Sequence, residues 1–135
     1  MYLLDTNVVS ELRRPRPHGA VLEWIAGVLA EHLFISAVTV GEIQAGIEVT
    51  RDRDEVKASE LESWPDSVLA SYAVLPMDAA TFRQWARIMH RRSDAMAEDA
   101  MIAATATLHR LTVVTRNVRD FEQLGLSPLN PFENP

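Results

Sequence analysis

The sequence predicts an α/β fold, with a central parallel sheet that is flanked by helices on both faces. Short apolar runs typical of buried strands recur four times along the 135 residues. One or two segments with helical spacing of apolar residues separate each run from the next, and strands that alternate with helices in this way form parallel sheets. The pattern contains no repeat and no interior linker, so we expect a single domain over residues 1–135.

The opening residues predict the first strand and the two helices after it. Residues 2–4 are apolar and end at Asp5, and Thr6 or Asn7 can cap a helix that continues to Leu12. Prolines soon after that point end the helix, because a helix interior does not accommodate the proline ring. Apolar residues at helical spacing then predict an amphipathic helix over residues 19–29.

The second strand is predicted at residues 33–36, and the helix after it carries a capping signal. Thr39 is followed three residues later by Glu42, which is the capping-box pattern, and this helix should continue to Val49. The charges of residues 51–62 alternate in sign, which predicts a solvated turn and an exposed helix face.

The second half of the chain continues the alternation of strands and helices. A strand at residues 73–75 precedes Asp78, which can cap an amphipathic helix. An alanine-rich helix over residues 97–109 follows, and its small side chains would let it pack closely on a sheet. It leads to a strand at residues 111–115.

The last predicted elements are a short helix and an extended tail. Asn117 can cap a helix that continues to Leu124, and Gly125 should end it because glycine adopts the left-handed conformation of a helix terminus without strain. The tail after Pro128 is rich in proline and should be extended.

The composition excludes several classes of function. The net charge of −6 argues against a protein that coats nucleic acid by bulk electrostatics, although it leaves room for a local site. The chain has no cysteine, which excludes disulfides, thiolate zinc sites and cysteine nucleophiles. The histidines show no metal-ligand spacing; they are His18, His32, His90 and His109. Hydrolytic chemistry would therefore depend on carboxylates, hydroxyls or a bound ion.

Nothing in the sequence indicates export or a membrane. No stretch approaches the roughly 20 apolar residues that a membrane span needs. The first residues lack the basic leader and long apolar run of a signal peptide. We therefore expect the protein in the cytoplasm, without membrane association.

Acidic residues lie at or just after three of the predicted strands. Asp5 closes the first strand, Glu42 lies in the helix after the second, and Asp120 lies in the first turn after the last. Asp99 joins them from the alanine-rich helix, where it shares a face with Ile102. Ligands of open α/β sheets bind beyond the carboxyl ends of the strands, so these acids are candidate site residues. Each also has a purely structural interpretation, as a helix cap or a first-turn acid.

A divalent cation would explain why several acids converge. Asp99 is the hardest to explain structurally, because a buried carboxylate without a partner is costly. Like charges repel one another, and a bound cation removes that repulsion. A set of oxygen ligands without histidine or cysteine favours Mg²⁺, or Mn²⁺, over zinc.

Four segments carry these acids in order along the chain: Leu3-Leu4-Asp5-Thr6-Asn7, Ile35 to Glu42, Asp99 to Ala106, and Thr115-Arg116-Asn117 through Asp120-Phe121. Together they resemble the PIN-domain toxins, and above all the VapC and FitB branch of type II toxin–antitoxin systems. The resemblance covers essentially the whole chain. A single motif such as an apolar strand ending in Asp-Thr-Asn is weak evidence, but four in order are specific.

The resemblance implies a magnesium-dependent RNA endonuclease that is inhibited by a small, DNA-binding cognate antitoxin. Asp5 and Asp99 would be the principal metal ligands, and Glu42 would complete the site or act through water. Thr6 and Thr115 would orient carboxylates, waters or phosphate through their hydroxyls.

The fourth acid of the site and its basic rim are less well defined. Some relatives carry an acid where this chain has the neutral Asn117, which leaves either Asp120 or no residue as the fourth acid. All basic residues but Lys57 are arginine, whose planar group suits phosphate, although a codon preference for arginine would produce the same composition. We interpret Arg116 as a contact to the RNA backbone.

Two rival functions remain to be weighed. Receiver domains and phosphatases also place aspartate at strand ends, but receivers use a lysine after the last strand, and Asp-x-Asp phosphatases need an aspartate where Asn7 stands. The second rival is an inactive PIN-like module that only binds RNA or a protein.

The family resemblance also implies self-association, as a homodimer and within a toxin–antitoxin hetero-oligomer. The apolar helix faces near Trp64, Phe82 and Trp85 are candidate interfaces, although each of these aromatic residues could equally belong to the core.

Overall fold

The computed structural model of the chain describes residues 1–133 and shows a parallel sheet of four strands. The helices and strands in chain order are β1 Tyr2–Leu4, α1 Thr6–Arg13, α2 Gly19–Ala26, β2 Leu33–Ser36, α3 Ala37–Arg51, α4 Glu55–Leu61, α5 Ser63–Ser71, β3 Ala73–Leu75, α6 Ala79–Met89, α7 Ala97–His109, β4 Thr112–Val114 and α8 Val118–Gln123. Short 3₁₀ turns cover Ala30–His32 and Asp94–Met96. None of the helices described in residues 1–133 is long and apolar enough to span a bilayer.

The strand order is β3-β2-β1-β4, and every pairing is parallel. The carboxyl ends of all four strands therefore lie at one edge of the sheet, with β1 between β2 and β4. The residues that follow β1, β2 and β4 are consequently neighbours in space, although they are distant in sequence.

Two hydrophobic clusters lie on the two faces of the sheet. Strand residues such as Leu4 and Ile35 pack against side chains from α1 to α5, whereas Leu3 and Val113 pack against side chains from α6, α7 and α8. Neighbouring residues of a strand point to opposite faces, so each short strand contributes to both clusters. The predicted α/β architecture with helices on both faces is confirmed.

The tail after Pro128 adds to the sheet beyond β4. Leu129 forms a parallel bridge with Val114. The N–H of Leu129 donates to the Val113 carbonyl at 2.9 Å, and the N–H of Thr115 donates to the Leu129 carbonyl at 2.9 Å. The prediction of an extended tail is correct at this point, and its last two positions lie outside the described residues.

Three capping predictions were wrong. Helix α1 is capped by Asp5 rather than by Thr6 or Asn7. Helix α3 begins at Ala37 and is capped by Ser36, so Thr39 and Glu42 form no capping box. Asn117 stands at the N-cap position of α8, but its side chain makes no cap hydrogen bond. In the first two cases a nearer side chain at the end of the strand satisfies the free N–H groups of the helix.

The segment after α3 contains more helix than we expected. Within the predicted solvated region Asp54 caps α4, and a further helix, α5, follows directly. Pro65 lies in the first turn of α5, where helical N–H groups have no intrahelical partner and proline is tolerated. Helix α2 ends at Ala26, three residues before the predicted end at residue 29. Gly125 follows α8 with a φ of +87°, as expected for a helix terminus.

Candidate active site

Asp5 is buried at the carboxyl end of β1, and both its carboxylate oxygens accept hydrogen bonds. The Thr6 N–H donates to Oδ1 at 2.8 Å, which is also the cap of α1. Oδ2 accepts from the Thr115 hydroxyl at 2.8 Å and from the Asn7 amide at 3.2 Å. Three donors fix this carboxylate, and its oxygens retain further lone pairs for a cation.

Thr115 links β4 to the end of β1. Besides donating to Asp5, its hydroxyl accepts from the Asn7 amide at 3.2 Å and from the Asn117 N–H at 2.9 Å. The side-chain amide oxygen of Asn7 in turn accepts from the backbone N–H of Arg116 at 3.2 Å. The hydroxyl is completely buried, so the bonds it makes are protected from water.

Glu42 enters the site from the second turn of α3. The Thr6 hydroxyl donates to its Oε1 at 3.0 Å, and the hydroxyl oxygens of Thr6 and the buried Thr39 lie 3.1 Å apart. Helix α1 therefore orients the glutamate of α3 through Thr6, as the resemblance implied. Thr39, which we had read as a cap, supports this contact from the sheet-facing side of α3.

Asp99 and Asp120 complete the group of acids, and both are half-buried. Asp99 lies in the first turn of α7 and Asp120 in the first turn of α8. Within residues 1–133, neither carboxylate accepts a hydrogen bond from a protein group or forms a salt bridge. Each of them lies at the positive end of its own helix, which favours a negative charge.

The pKa values show that the four acids share one space. Burial raises the pKa of Asp99 to about 6, and repulsion from Asp5, Asp120 and Glu98 adds to the effect. Burial also raises the pKa of Glu42 to about 7; the Thr6 hydrogen bond opposes this, and Glu98, Asp5 and Asp99 reinforce it. The pKa of Asp5 is raised as well, chiefly by burial, because its hydrogen bonds do not fully offset desolvation.

The donor chemistry of this group fits a hard divalent cation. Its ligands are all oxygens, and no basic residue of the described chain forms a salt bridge with any of the four acids. As the side chains stand in residues 1–133, however, no three His, Asp or Glu groups converge closely enough to chelate one ion. Mg²⁺ retains several waters and is commonly bound through one or two carboxylates, so this looser arrangement still suits it.

Two clefts give solvent access to Glu42. One of about 470 Å³ lies between α3 and α7 and is lined by Val38, Gly41, Glu42, Ala45, Glu98 and Met101. The other, of about 260 Å³, has Thr6 and Glu42 in its wall. A larger cavity of about 550 Å³ lies between α2 and the C-terminal segment, and none of the four acids lines it. The acid group therefore borders the two smaller clefts and not the larger cavity.

The remaining predicted residues lie at the rim of the acid group. Asn117 and Arg116 are exposed, and the backbone N–H group of each donates a hydrogen bond to a residue of the site. The sequence reasoning gave no site role to Asn7, which connects Asp5 to Thr115, nor to Glu98, which repels both Glu42 and Asp99. Their positions beside Asp5 and Asp99 in sequence were the available signal.

Comparisons with known proteins agree with this fold. A profile of the PIN domain matches residues 2–125. The chain is 37% identical to "VapC ribonuclease Y4jK" of Sinorhizobium fredii, over 98% of this chain and 99% of that protein. It is 34% identical to "Toxin FitB" of Neisseria gonorrhoeae, over 99% of this chain and all of that protein.

A solved structure has the same architecture. The chain matches one in "Structure of FitAB bound to IR36 DNA fragment" with a TM-score of 0.84 and 33% identity, over 100% of this chain and 98% of that one. The family profile covers every strand and all four acids, and the relatives match nearly from end to end. The chain therefore belongs to the PIN domain family.

Proposed function

We propose that this protein is the toxin of a type II toxin–antitoxin system and acts as a magnesium-dependent endoribonuclease. The observation that carries the proposal is the group Asp5, Glu42, Asp99 and Asp120, which meets at one edge of the sheet without a protein cation. Several half-buried carboxylates that raise one another's pKa are costly unless an ion compensates them. The names of the relatives, a ribonuclease and a toxin, support the same activity.

Asp5 and Asp99 are the proposed principal metal ligands. Asp5 supplies an oriented carboxylate, because Thr6, Asn7 and Thr115 fix its position. Asp99 supplies a carboxylate that has no competing donor within residues 1–133. Glu42 binds the ion directly or through a water, and Asp120 assists from the edge of the site. When bound, Mg²⁺ would stabilise negative charge on the scissile phosphate and lower the pKa of a coordinated water; Mn²⁺ has compatible chemistry.

The residues of the chain would orient the reactants. Glu42, whose pKa of about 7 is close to neutral, is suited to accept a proton from a water near the phosphate. Arg116 is exposed beside Asn7 and Thr115, where its positive charge would attract the RNA backbone to an otherwise repelling group of acids. RNA as substrate would place the activity in the cytoplasm.

We further propose a small cognate antitoxin as protein partner, together with self-association of the toxin. The supporting comparison is the FitAB structure, in which the matching chain is part of an assembly with DNA. Of the candidate interface residues, Trp85 packs in the core and donates to the Ala97 carbonyl at 3.0 Å, and Trp64 packs against the other hydrophobic cluster. Phe82 remains 44% exposed and is the better surface candidate.

The test combines RNA cleavage with metal binding. Purified protein is incubated with a random-sequence pool of single-stranded RNA in Mg²⁺, Mn²⁺ or excess chelator, and Mg²⁺ binding is titrated separately. We expect cleavage only with the metals, and metal binding that is weakened in Asp5→Asn and Asp99→Asn. Retained cleavage in excess chelator would contradict the metal-nuclease proposal. Metal-independent RNA binding without cleavage would instead favour the inactive PIN-like module.

The proposed partner can be tested genetically. Expression of the chain should stop growth of a bacterial host, and co-expression of a small protein encoded next to it should restore growth. A toxic chain that no neighbouring product neutralises, and that behaves as a strict monomer in light scattering with and without that product, would contradict the antitoxin and self-association proposals.

A further inference from the structure

The guanidinium group of Arg116 stacks on a residue of the C-terminal segment. Its Cζ lies 3.8 Å from the centroid of the Phe132 ring, which is the distance of a close cation–π contact. Arg116 directly follows Thr115, and its N–H donates to Asn7, which also donates to Asp5. The contact therefore connects the end of the chain to the rim of the acid group.

Phe132 is itself held in place. The pairing of Leu129 with β4 fixes the start of the segment, and the N–H of Phe132 donates to the Asn130 side chain at 3.0 Å. The His18 ring packs edge-on against Phe132 with 5.4 Å between ring centroids. The backbone N–H of His18 in turn donates to the buried carboxylate of Glu11 at 3.0 Å, and its ring Nδ1 accepts from the Ala20 N–H at 3.2 Å. A fixed aromatic surface thus lies under the arginine.

The Arg116 guanidinium forms no hydrogen bond and no salt bridge with any group in residues 1–133. Stacking on Phe132 occupies one face of the planar group and leaves its N–H edges unused. Those edges are the part of arginine that binds phosphate oxygens.

We infer that Phe132 is a positioning residue that holds the Arg116 side chain at the rim of the acid group so that it can bind an RNA phosphate. The inference rests on the proposed ribonuclease function. It gives the C-terminal segment a role in substrate binding, although that segment contributes no acid. The ligand of this subsite is a phosphodiester of single-stranded RNA.

A double-mutant cycle tests the inference. Cleavage of the random-sequence RNA pool is measured for wild type, Arg116→Ala, Phe132→Leu and the double variant. We expect Arg116→Ala to raise KM by about 10-fold with a smaller change in kcat, because a charged hydrogen bond to phosphate is lost. Phe132→Leu should raise KM by about 2- to 5-fold, and it should have no further effect in the Arg116→Ala background.

Two additional readouts separate positioning from a merely structural role. Loss of one phosphate contact should reduce the slope of log(kcat/KM) against log salt concentration by about 0.7 in Arg116→Ala. The side-chain proton signals of Arg116 should show an upfield ring-current shift in NMR spectra, which disappears in Phe132→Leu and persists in Phe132→Tyr. Phe132→Tyr should also retain the wild-type KM.

Matched controls are available elsewhere in the chain. Val56→Ala shortens an exposed apolar side chain of α4, and Arg53→Ala removes an arginine from the turn between α3 and α4. Neither variant should change KM. Two results would overturn the inference while wild-type cleavage stays intact. One is an equal rise in KM from Phe132→Leu with Arg116 present and with Arg116→Ala. The other is an Arg116 proton signal without an upfield shift in the wild type. Absence of wild-type cleavage would instead refute the proposed function.

Discussion

Asp5 and Asp99 bring the same chemical group to the same space, but the chain holds them in different ways. Asp5 belongs to a fixed side of the site, formed with Thr6, Asn7 and Thr115, in which three donors orient one carboxylate. Asp99 and Asp120 form a free side, in which no protein donor of residues 1–133 contacts either carboxylate.

The difference indicates how a metal site can be prepared before metal arrives. The fixed side lies at the junction of β1, β4 and α1, where the backbone is already determined by the sheet. The free side lies in the first turns of α7 and α8, at the surface of the site. In the proposed metal site, one preorganised carboxylate would define the position of the ion, and the carboxylates without protein donors would adjust to its coordination geometry.

The largest expected effect comes from neutralising either Asp5 on the fixed side or Asp99 on the free side. Asp5→Asn and Asp99→Asn should each lower cleavage by at least about 100-fold, because each removes a charged ligand without changing the size of the side chain. Both variants should fold, which circular dichroism can verify. Cleavage rates in Mg²⁺ for the purified variants provide the measurement, and near-wild-type activity in either one would refute the assignment of that acid as a ligand.

A smaller effect is expected when the fixed side is loosened without removing an acid. Thr115→Val deletes the hydroxyl that bonds to Asp5, Asn7 and the Asn117 N–H, and should weaken Mg²⁺ affinity or activity by about 10- to 100-fold. Thr107→Val is the matched control, because its hydroxyl bonds only to the Ala103 carbonyl of its own helix. Equal Mg²⁺ titrations for the two variants would show that the hydroxyl network does not prepare the site.

The sequence predicted the order of strands and helices because apolar periodicity is local. It also identified Asp5, Glu42, Asp99 and Asp120 as candidates for one site, since the carboxyl ends of parallel strands must share an edge. The resemblance implied that Thr115 orients carboxylates, waters or phosphate, but it did not single out Asp5 as the partner, because the two residues are 110 positions apart and their contact depends on the register of β1 and β4.

Errors in the prediction were concentrated at helix ends. Ser36 and Thr39 are both good caps by residue type, and only the point where β2 ends decides between them. The Phe132–Arg116 stack had no signal at all in the sequence, because it depends on how the tail folds back along β4. Local rules therefore identify elements and candidate groups, whereas long-range packing decides which side chains meet.

The raised pKa values of Glu42 and Asp99 also predict how the metal-free protein responds to pH. The folded state raises the pKa of Glu42 from 4.5 to about 7 and that of Asp99 from 3.8 to about 6. Between those values the folded state retains protons that the unfolded chain has released, so the free energy of unfolding should fall as pH rises from about 4 to 7.

Chelator-treated protein should therefore melt at a lower temperature at neutral pH than at mildly acidic pH. Asp99→Asn should flatten this dependence, because it removes one titrating carboxylate and its repulsion of Asp5. Asp52→Asn, at an exposed position after α3, should leave the dependence unchanged. Saturating Mg²⁺ should reverse the trend, since the metal binds the ionised carboxylates. A melting temperature that rises with pH in chelator would contradict the coupling of these acids.

The smallest expected effect concerns Asp120 and its neighbour Asn117. Asp120 is half-buried and contributes to the raised pKa values of Asp5 and Asp99, so it faces the same space as the principal acids. An alternative role, stabilising the N-terminus of α8, is worth only about 0.3 to 1 kcal/mol and predicts almost no effect on catalysis. Asp120→Asn should therefore slow cleavage, but by less than Asp5→Asn does.

The substitution Asn117→Asp tests the neutral residue that immediately precedes α8. Asn117 is exposed, its side chain makes no hydrogen bond within residues 1–133, and it immediately precedes α8. An amide oxygen can coordinate a hard cation but adds no charge, so Asn117→Asp should lower the Mg²⁺ concentration needed for half-maximal cleavage. Cleavage rates measured against Mg²⁺ concentration compare this variant with Asp120→Asn. If both curves coincide with that of the wild type, the functional site consists of three acids, and Asp120 only stabilises its helix.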